Sequence, residues 1–149
     1  MSLSSIDAEF TGLGSNWPKV MGALFKKELV HWAHVYDAEC LWIFGQLINN
    51  TDMHLGNLSL GIDGGVFRLR PVYDMCSMGF APKSGDEVLP YRFVPPVIEP
   101  INTDSETVEY IKLMARNFWE RVANDERISS DMREFLVEGN PIDMVKSGH

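Results

Sequence analysis

The chain has 149 residues, of which 45% are hydrophobic and 23% are charged, and these are the proportions of an ordinary globular domain. The composition therefore excludes disordered, collagen-like and coiled-coil proteins. The 13 Lys and Arg against 21 Asp and Glu give a net charge of -8, a poor electrostatic footprint for a nucleic-acid-binding surface, so we expect no direct contact with nucleic acid.

The N-terminal part of the chain is predicted to hold an extended lead-in and one helix. Residues 1–15 contain Gly12, Gly14 and several serines without a helical or strand period, which predicts the lead-in. Asn16 can cap free backbone amides and Pro18 is tolerated in a first turn, so a helix is predicted to begin there. Its apolar stripe and its far end are expected to contain Val20, Leu24, Leu29, His31, Trp32 and His34.

A second helix is predicted from about residue 37 to residue 49, because apolar residues recur at steps of three and four with almost no charge between them. Asn49 and Asn50 are expected to stop it, since Asn prefers caps and turns. Two short apolar runs follow at residues 58–62 and 66–69. The Asp63-Gly64-Gly65 sequence between them predicts a β-hairpin, because its turn needs residues that tolerate positive φ.

The C-terminal part is predicted to be irregular first and helical afterwards. Residues 82–100 contain five prolines, which predicts an irregular surface segment. Thr103 or Asp104 can cap a long amphipathic helix, and Ser129 or Ser130 can start a short one that runs to about residue 137. The buried stripe of the long helix is expected to be Val108, Ile111, Met114, Ala115, Phe118 and Val122. The predicted fold class is a mainly α single domain over residues 1–149 with a small inserted hairpin.

The expected compartment is the cytoplasm. No apolar run approaches the ~20 residues that cross a bilayer, and the start of the chain lacks the basic-then-apolar layout of a signal peptide. Cys40 and Cys76 each lie in an apolar stretch, which favours small buried thiols in a reducing compartment over a disulfide. We therefore expect a protein that does not contact membranes.

Three polar residues flank the predicted hairpin, and they are the candidate catalytic and metal-binding residues. Asp52 and Asn57 precede its first strand, and Asp74 follows its second. Because the strands of a hairpin start and finish side by side, residues before the first strand lie near residues after the second. Two carboxylates and an amide oxygen form an oxygen-rich site of the type that holds Mg²⁺. Asp52 and Asn57 also have the five-residue interval between the catalytic base and a metal-binding Asn in protein kinases.

The chain resembles the HipA-like serine/threonine kinases in two segments. FGQLINNTDMHLGN over residues 44–57 is similar to their catalytic loop, and RPVYDM over residues 70–75 is similar to their metal-binding segment. The resemblance implies a protein-kinase-like C-terminal lobe in which Asp52 is the catalytic base, Asn57 and Asp74 are the Mg²⁺ ligands, and ATP is the phosphoryl donor. His54 belongs to the cofactor-binding loop, where we expect it to brace the backbone rather than to bind a transition metal.

The resemblance also implies partners and a biological setting. Members of the family phosphorylate Ser or Thr of proteins, some of them translation factors, and several are toxins that act beside an antitoxin. A protein substrate and an antitoxin are therefore the implied partners.

The chain departs from the kinase pattern in ways that keep other functions open. It has no Gly-rich phosphate loop after a strand and no strand lysine assignable to a nucleotide, and Met75-Cys76 replaces Phe-Gly after Asp74. We expect the ATP-covering N-terminal lobe to be absent and the isolated chain to be inactive. A lipid or small-molecule kinase lobe is one alternative, because Asp-x-His-x-x-Asn also resembles the catalytic loop of phosphoinositide-type kinases. A non-catalytic pseudokinase or interaction module is the other.

Overall fold

A computed structural model describes residues 1–81 and 90–146 of the chain. Within these ranges the regular structure is mainly helical, with one small antiparallel sheet. The elements are α1 Leu3–Phe10, α2 Trp17–Lys26, α3 Trp32–Leu47, β1 Leu60–Asp63, β2 Val66–Leu69, α4 Ser105–Asn124 and α5 Ser130–Val137. Short 3₁₀ turns lie at Leu55–Asn57, Met78–Phe80 and Pro141–Met144. In the described ranges we find no helix that is long and apolar enough to cross a membrane.

The predicted lead-in is wrong over α1. The side chain of Ser2 caps the helix by accepting a hydrogen bond from the Ser5 N–H, and the side chains of Leu3 and Ile6 are fully buried. The N–H of Leu3 donates to the carbonyl of Leu58 at 2.7 Å, which ties the helix to the chain entering β1. A contact with a residue far along the chain thus helps to stabilise an eight-residue helix whose own sequence has little periodicity.

The predicted helix that carries His31 and His34 is divided into two. Helix α2 ends at Lys26, and Glu28 adopts the left-handed region at φ 59°. The carbonyl of Leu29 accepts a hydrogen bond from the Phe67 N–H at 2.8 Å, so the turn between α2 and α3 pairs with β2. Helix α3 then begins at Trp32, which is 46% exposed and not part of a buried stripe.

The hairpin is confirmed. Strands β1 and β2 pair antiparallel with Leu60 opposite Leu69 and Asp63 opposite Val66. Gly64 and Gly65 form the turn at φ 58° and 83°, the left-handed values that a two-residue hairpin turn requires.

The C-terminal helices are confirmed, but two side chains that were predicted to be buried are exposed. The carboxylate of Asp104 caps α4 by accepting from the Thr107 N–H at 2.8 Å, and Ser129 caps α5. Met114 is 46% exposed, because the buried face of α4 turns toward Trp119 instead. Cys40 is half-buried but Cys76 is exposed, which contradicts the predicted burial of its thiol; both cysteines are free.

Helix α3 separates two apolar clusters. Its N-terminal half packs with α1, α2 and the hairpin through Val35 and Ala38, and its C-terminal half packs with α4 and α5 through Ile43 and Leu47. Residues 90–100 form neither helix nor strand, as predicted, while residues 82–89 of the predicted Pro-rich segment lie outside the described residues. The middle of α3 therefore marks the boundary between the clusters, and the candidate site begins just beyond the end of this helix.

Candidate functional site

The predicted site residues lie in two loops at opposite ends of the hairpin sequence. We call residues 50–57 the Asp52 loop, which follows α3, and residues 70–76 the Asp74 loop, which follows β2. The side chains of Asp52 and Asp74 are both exposed, and Asn57 is half-buried. The hairpin connects the loops and places their backbones side by side, as its register requires.

The Asp52 loop is closed by a hydrogen bond between two of the predicted residues. The side-chain amide of Asn57 donates through Nδ2 to the carbonyl of Asp52 at 2.6 Å. Since Nδ2 is engaged, the amide oxygen Oδ1 of Asn57 is left as an acceptor, and no described residue donates to it. The carboxylate of Asp52 likewise accepts no hydrogen bond within the described part of the chain. This geometry holds the loop and leaves oxygen atoms for a ligand.

His54 braces the same loop. Its Nδ1 accepts a hydrogen bond from the Gly56 N–H at 2.9 Å, and its carbonyl accepts one from the indole of Trp17 at 2.9 Å. A Cβ on Gly56 would lie 2.7 Å from the imidazole ring, so glycine is needed for this contact. The Nε2 atom lies 3.9 Å from Oδ1 of Asp52. His54 thus contacts the loop backbone, with its second nitrogen near the Asp52 carboxylate.

The Asp74 loop is fixed by its two neighbours in sequence. The hydroxyl of Tyr73 donates to the carbonyl of Gly56 at 2.7 Å, which is a direct contact between the loops. The side chain of Met75 packs against both apolar clusters. Asp74 lies between Tyr73 and Met75 in the chain. Its φ is 54°, in the left-handed region that a non-glycine residue rarely adopts. Its backbone is therefore held in place on both sides.

Two residues that join the loops were not identified as such from the sequence. The sequence predicts that Asn50 ends a helix and places it in the segment that resembles the catalytic loop, but it does not indicate that its side chain contacts the backbones of both loops. Gly45 of α3 makes room for both loops, since a Cβ there would overlap Sδ of Met53 and lie 3.2 Å from Sδ of Met75. The signal in the sequence is their place within residues 44–57, the segment that resembles the catalytic loop.

The site residues offer oxygen donors of the type that Mg²⁺ prefers: the carboxylate of Asp74, which is exposed, and the Oδ1 atom of Asn57, which is half-buried. The described residues contain no group of three or more His, Cys, Asp and Glu side chains able to hold a metal ion. A site with two protein oxygens is consistent with Mg²⁺ held jointly by protein, water and phosphate.

No family model and no solved structure matches the chain. The chain is similar to one curated protein, Toxin YjjJ of Escherichia coli strain K12, with 35% identity over 142 residues. The similarity covers 93% of this chain and 31% of that protein, so the chain spans about a third of the length of the relative it matches.

Proposed function

We propose that this chain is the catalytic-loop lobe of a HipA-like kinase, which transfers the γ-phosphoryl group of ATP to a Ser or Thr hydroxyl of a protein. One observation carries the proposal. Asn57 closes the Asp52 loop through its Nδ2 atom, its Oδ1 atom and the exposed Asp52 carboxylate accept no hydrogen bond from the described residues, and the Tyr73 hydroxyl joins this loop to the Asp74 loop. Phosphoryl transfer uses a catalytic base and metal ligands held close together, and the two joined loops offer side chains of these types.

Each site residue has a role in that reaction. Asp52 orients the substrate hydroxyl and accepts its proton as the oxygen attacks the γ-phosphorus and the bond to the β-phosphate breaks, releasing ADP. Asn57 and Asp74 would hold Mg²⁺, which neutralises charge on the phosphates when bound. His54 positions the loop through the Gly56 N–H.

The relative supports a toxin setting. Because the homologous protein is a toxin, we propose that the protein containing this chain is a toxin with an antitoxin partner and a protein substrate, such as a translation factor. Residues 1–149 contain no Gly-rich phosphate loop after a strand, so we expect ATP to need contacts beyond this chain and the isolated chain to be inactive.

Nucleotide binding tests the metal assignment. Calorimetry on the complete natural protein should show that Asp74→Asn weakens Mg²⁺-ATP binding at least about tenfold, because a neutral amide is a poorer ligand than a carboxylate. The matched control is Asp63→Asn, an exposed residue at the hairpin turn that pairs with Arg68. Equal affinity of the Asp74→Asn protein and the unmodified protein would refute the assigned metal role.

Phosphoryl transfer tests the reaction class. Radiolabelled ATP should label protein Ser or Thr, and the Asp52→Asn variant should lose this labelling. Transfer to a lipid or a sugar instead would establish the alternative kinase class. The absence of any turnover by the complete protein with all three substrate types would favour a non-catalytic interaction module.

A further inference from the structure

We propose that Asn50 is a positioning residue that couples the Asp52 loop to the Asp74 loop, so that catalytic base and metal ligand are held as one unit. The effect on metal binding rests on the proposed function. Its structural part, the coupling of two loops through one side chain, stands on the contacts of Asn50 alone.

The side chain of Asn50 is 6% exposed and uses both of its polar ends. Its Oδ1 atom accepts a hydrogen bond from the Asp52 N–H at 3.1 Å, and its Nδ2 atom donates to the carbonyl of Asp74 at 3.2 Å. Its own N–H donates to the carbonyl of Gly45 at 2.8 Å. A single residue therefore joins the end of α3, the Asp52 loop and the Asp74 loop.

A role as a simple helix stop does not account for these contacts. Such a role needs only a local hydrogen bond, like that between Oδ1 and the N–H two residues on. The bond to Asp74 spans 24 residues of sequence and joins two separate loops. Burying an amide is costly unless both of its ends are bonded, and here the second partner is the Asp74 backbone.

The bond reaches Asp74 where its backbone is least free to relax. At φ 54° a non-glycine residue is in an uncommon conformation that surrounding contacts must maintain. The carbonyl of Asp74 accepts from Asn50 and also from the Cys76 N–H at 3.1 Å. Removing the Nδ2 donor therefore leaves the strained residue with one fewer restraint, whereas the Asp52 loop keeps its bonds through Asn57 and Trp17.

Amide hydrogen exchange on the complete natural protein separates the two halves of the bridge. Asn50→Asp keeps an oxygen for the Asp52 N–H but has no donor for Asp74, and Asn50→Ala lacks both. We expect Asn50→Asp to speed exchange in residues 72–78 about two- to tenfold with little change at Asp52, and Asn50→Ala to speed both. The control is Asn117→Asp on the exposed face of α4. Unchanged exchange in residues 72–78, or an equal rise throughout α4, would overturn the coupling.

A second measurement decides the matter even if the variants do not fold. In the unmodified protein, the Nδ2 protons of Asn50 should exchange at least about tenfold more slowly than those of the exposed Asn117, because one of them is bonded to a backbone carbonyl in a buried site. Equal rates would mean that the bond to Asp74 does not persist in solution.

Magnesium dependence tests the functional consequence. We expect Asn50→Ala to raise the Mg²⁺ concentration for half-maximal ATP binding about tenfold, with recovery at high Mg²⁺, because a loosened Asp74 loop presents its carboxylate less well. In an Asp74→Asn background the same change should add no further effect. A midpoint unaltered by Asn50→Ala would overturn the positioning role. If the unmodified protein does not bind Mg²⁺-ATP, the proposed function fails, and the exchange measurements still decide the coupling.

Discussion

The helical scaffold and the two site loops treat their carboxylates in opposite ways. In the scaffold, Asp7 of α1 and Glu39 of α3 are 5% and 1% exposed, and backbone N–H groups bond to both oxygens of each. In the loops, Asp52 and Asp74 are exposed, and their carboxylates accept no hydrogen bond from the residues that the structure describes. The same functional group thus stabilises the chain in one region and is accessible to a ligand in the other.

The scaffold carboxylates each organise a segment without regular structure. Glu39 accepts from the N–H groups of Ile101 and Asn102, both at 2.6 Å, and so holds the chain that leads into α4 against α3. Asp7 accepts from the N–H groups of Leu13 and Gly14 and from the hydroxyl of Thr11. Because these oxygens are bonded within the chain, neither residue is available for chemistry.

The loops differ because other groups satisfy their backbone. Asn57, Asn50 and the Tyr73 hydroxyl bond to the carbonyls of the two loops. In the loops, amide and phenol side chains therefore make the hydrogen bonds that fix the backbone, whereas carboxylates make them in the scaffold. This division suggests how a charged site can be held rigid while its carboxylates remain exposed, and substitutions in the two regions should separate stability from activity.

The largest effect on stability is expected for Glu39→Gln. The substitution replaces a carboxylate that accepts two backbone hydrogen bonds with an amide. The NH₂ group of the amide then faces one of the two backbone N–H donors, and that hydrogen bond is lost. The free energy of unfolding should therefore fall by about 3 kcal/mol. Denaturant unfolding measures this loss. The control Asp37→Asn, on the exposed side of the same helix, should change it by less than about 0.5 kcal/mol. A similar small change for Glu39→Gln would contradict the anchoring role of that residue.

A smaller and pH-dependent effect is expected for Asp7→Asn. Burial opposes ionisation of this carboxyl, but the hydrogen bonds from Thr11, Gly14 and Leu13 outweigh it and hold the pKa below its ordinary value of 3.8. A folded-state pKa below the unfolded one gives stability that is complete above about pH 4 and is lost as the pH falls through the folded value. Asp7→Asn should therefore cost about 1–2 kcal/mol at pH 7 and less at pH 3.

Unfolding of both proteins between pH 3 and pH 7 measures this dependence. The control is Glu9→Gln on the exposed side of α1, which should change the free energy of unfolding at pH 7 by less than about 0.5 kcal/mol. If the cost of Asp7→Asn were as large at pH 3 as at pH 7, ionisation of Asp7 would not be its cause.

The smallest effect on stability is expected for Asp52→Asn and Asp74→Asn. Neither carboxylate accepts a hydrogen bond from the described residues, and the His54 Nε2 atom 3.9 Å from Asp52 forms at most an exposed ion pair, so each change should alter the free energy of unfolding by less than about 0.5 kcal/mol. The proposed function requires that the same variants lose phosphoryl transfer. A loss of stability comparable to that of Glu39→Gln would instead place these residues with the scaffold.

Much of the outline was predictable from short patterns. Two glycines after Asp63 predicted the hairpin because few other residues adopt its turn, and Thr103 or Asp104 predicted the start of α4 because either side chain can cap free amides. The interval from Asp52 to Asn57 predicted a catalytic base and a metal ligand, which stays a prediction; the structure adds a hydrogen bond from Asn57 to the Asp52 carbonyl. In each case the partners lie within a few residues of one another, so the sequence contains the whole interaction.

The tertiary structure decided what depends on distant partners. The helix at α1 forms where Leu3 meets Leu58, the turn after α2 forms where Leu29 meets Phe67, and Met114 and Cys76 are exposed because the adjoining faces pack elsewhere. Asn50 is the clearest case: its sequence indicates a helix end, and only the folded chain brings its Nδ2 atom to the Asp74 carbonyl 24 residues away. Local sequence determines caps, turns and periodicity, whereas contacts between distant segments depend on how the whole core packs.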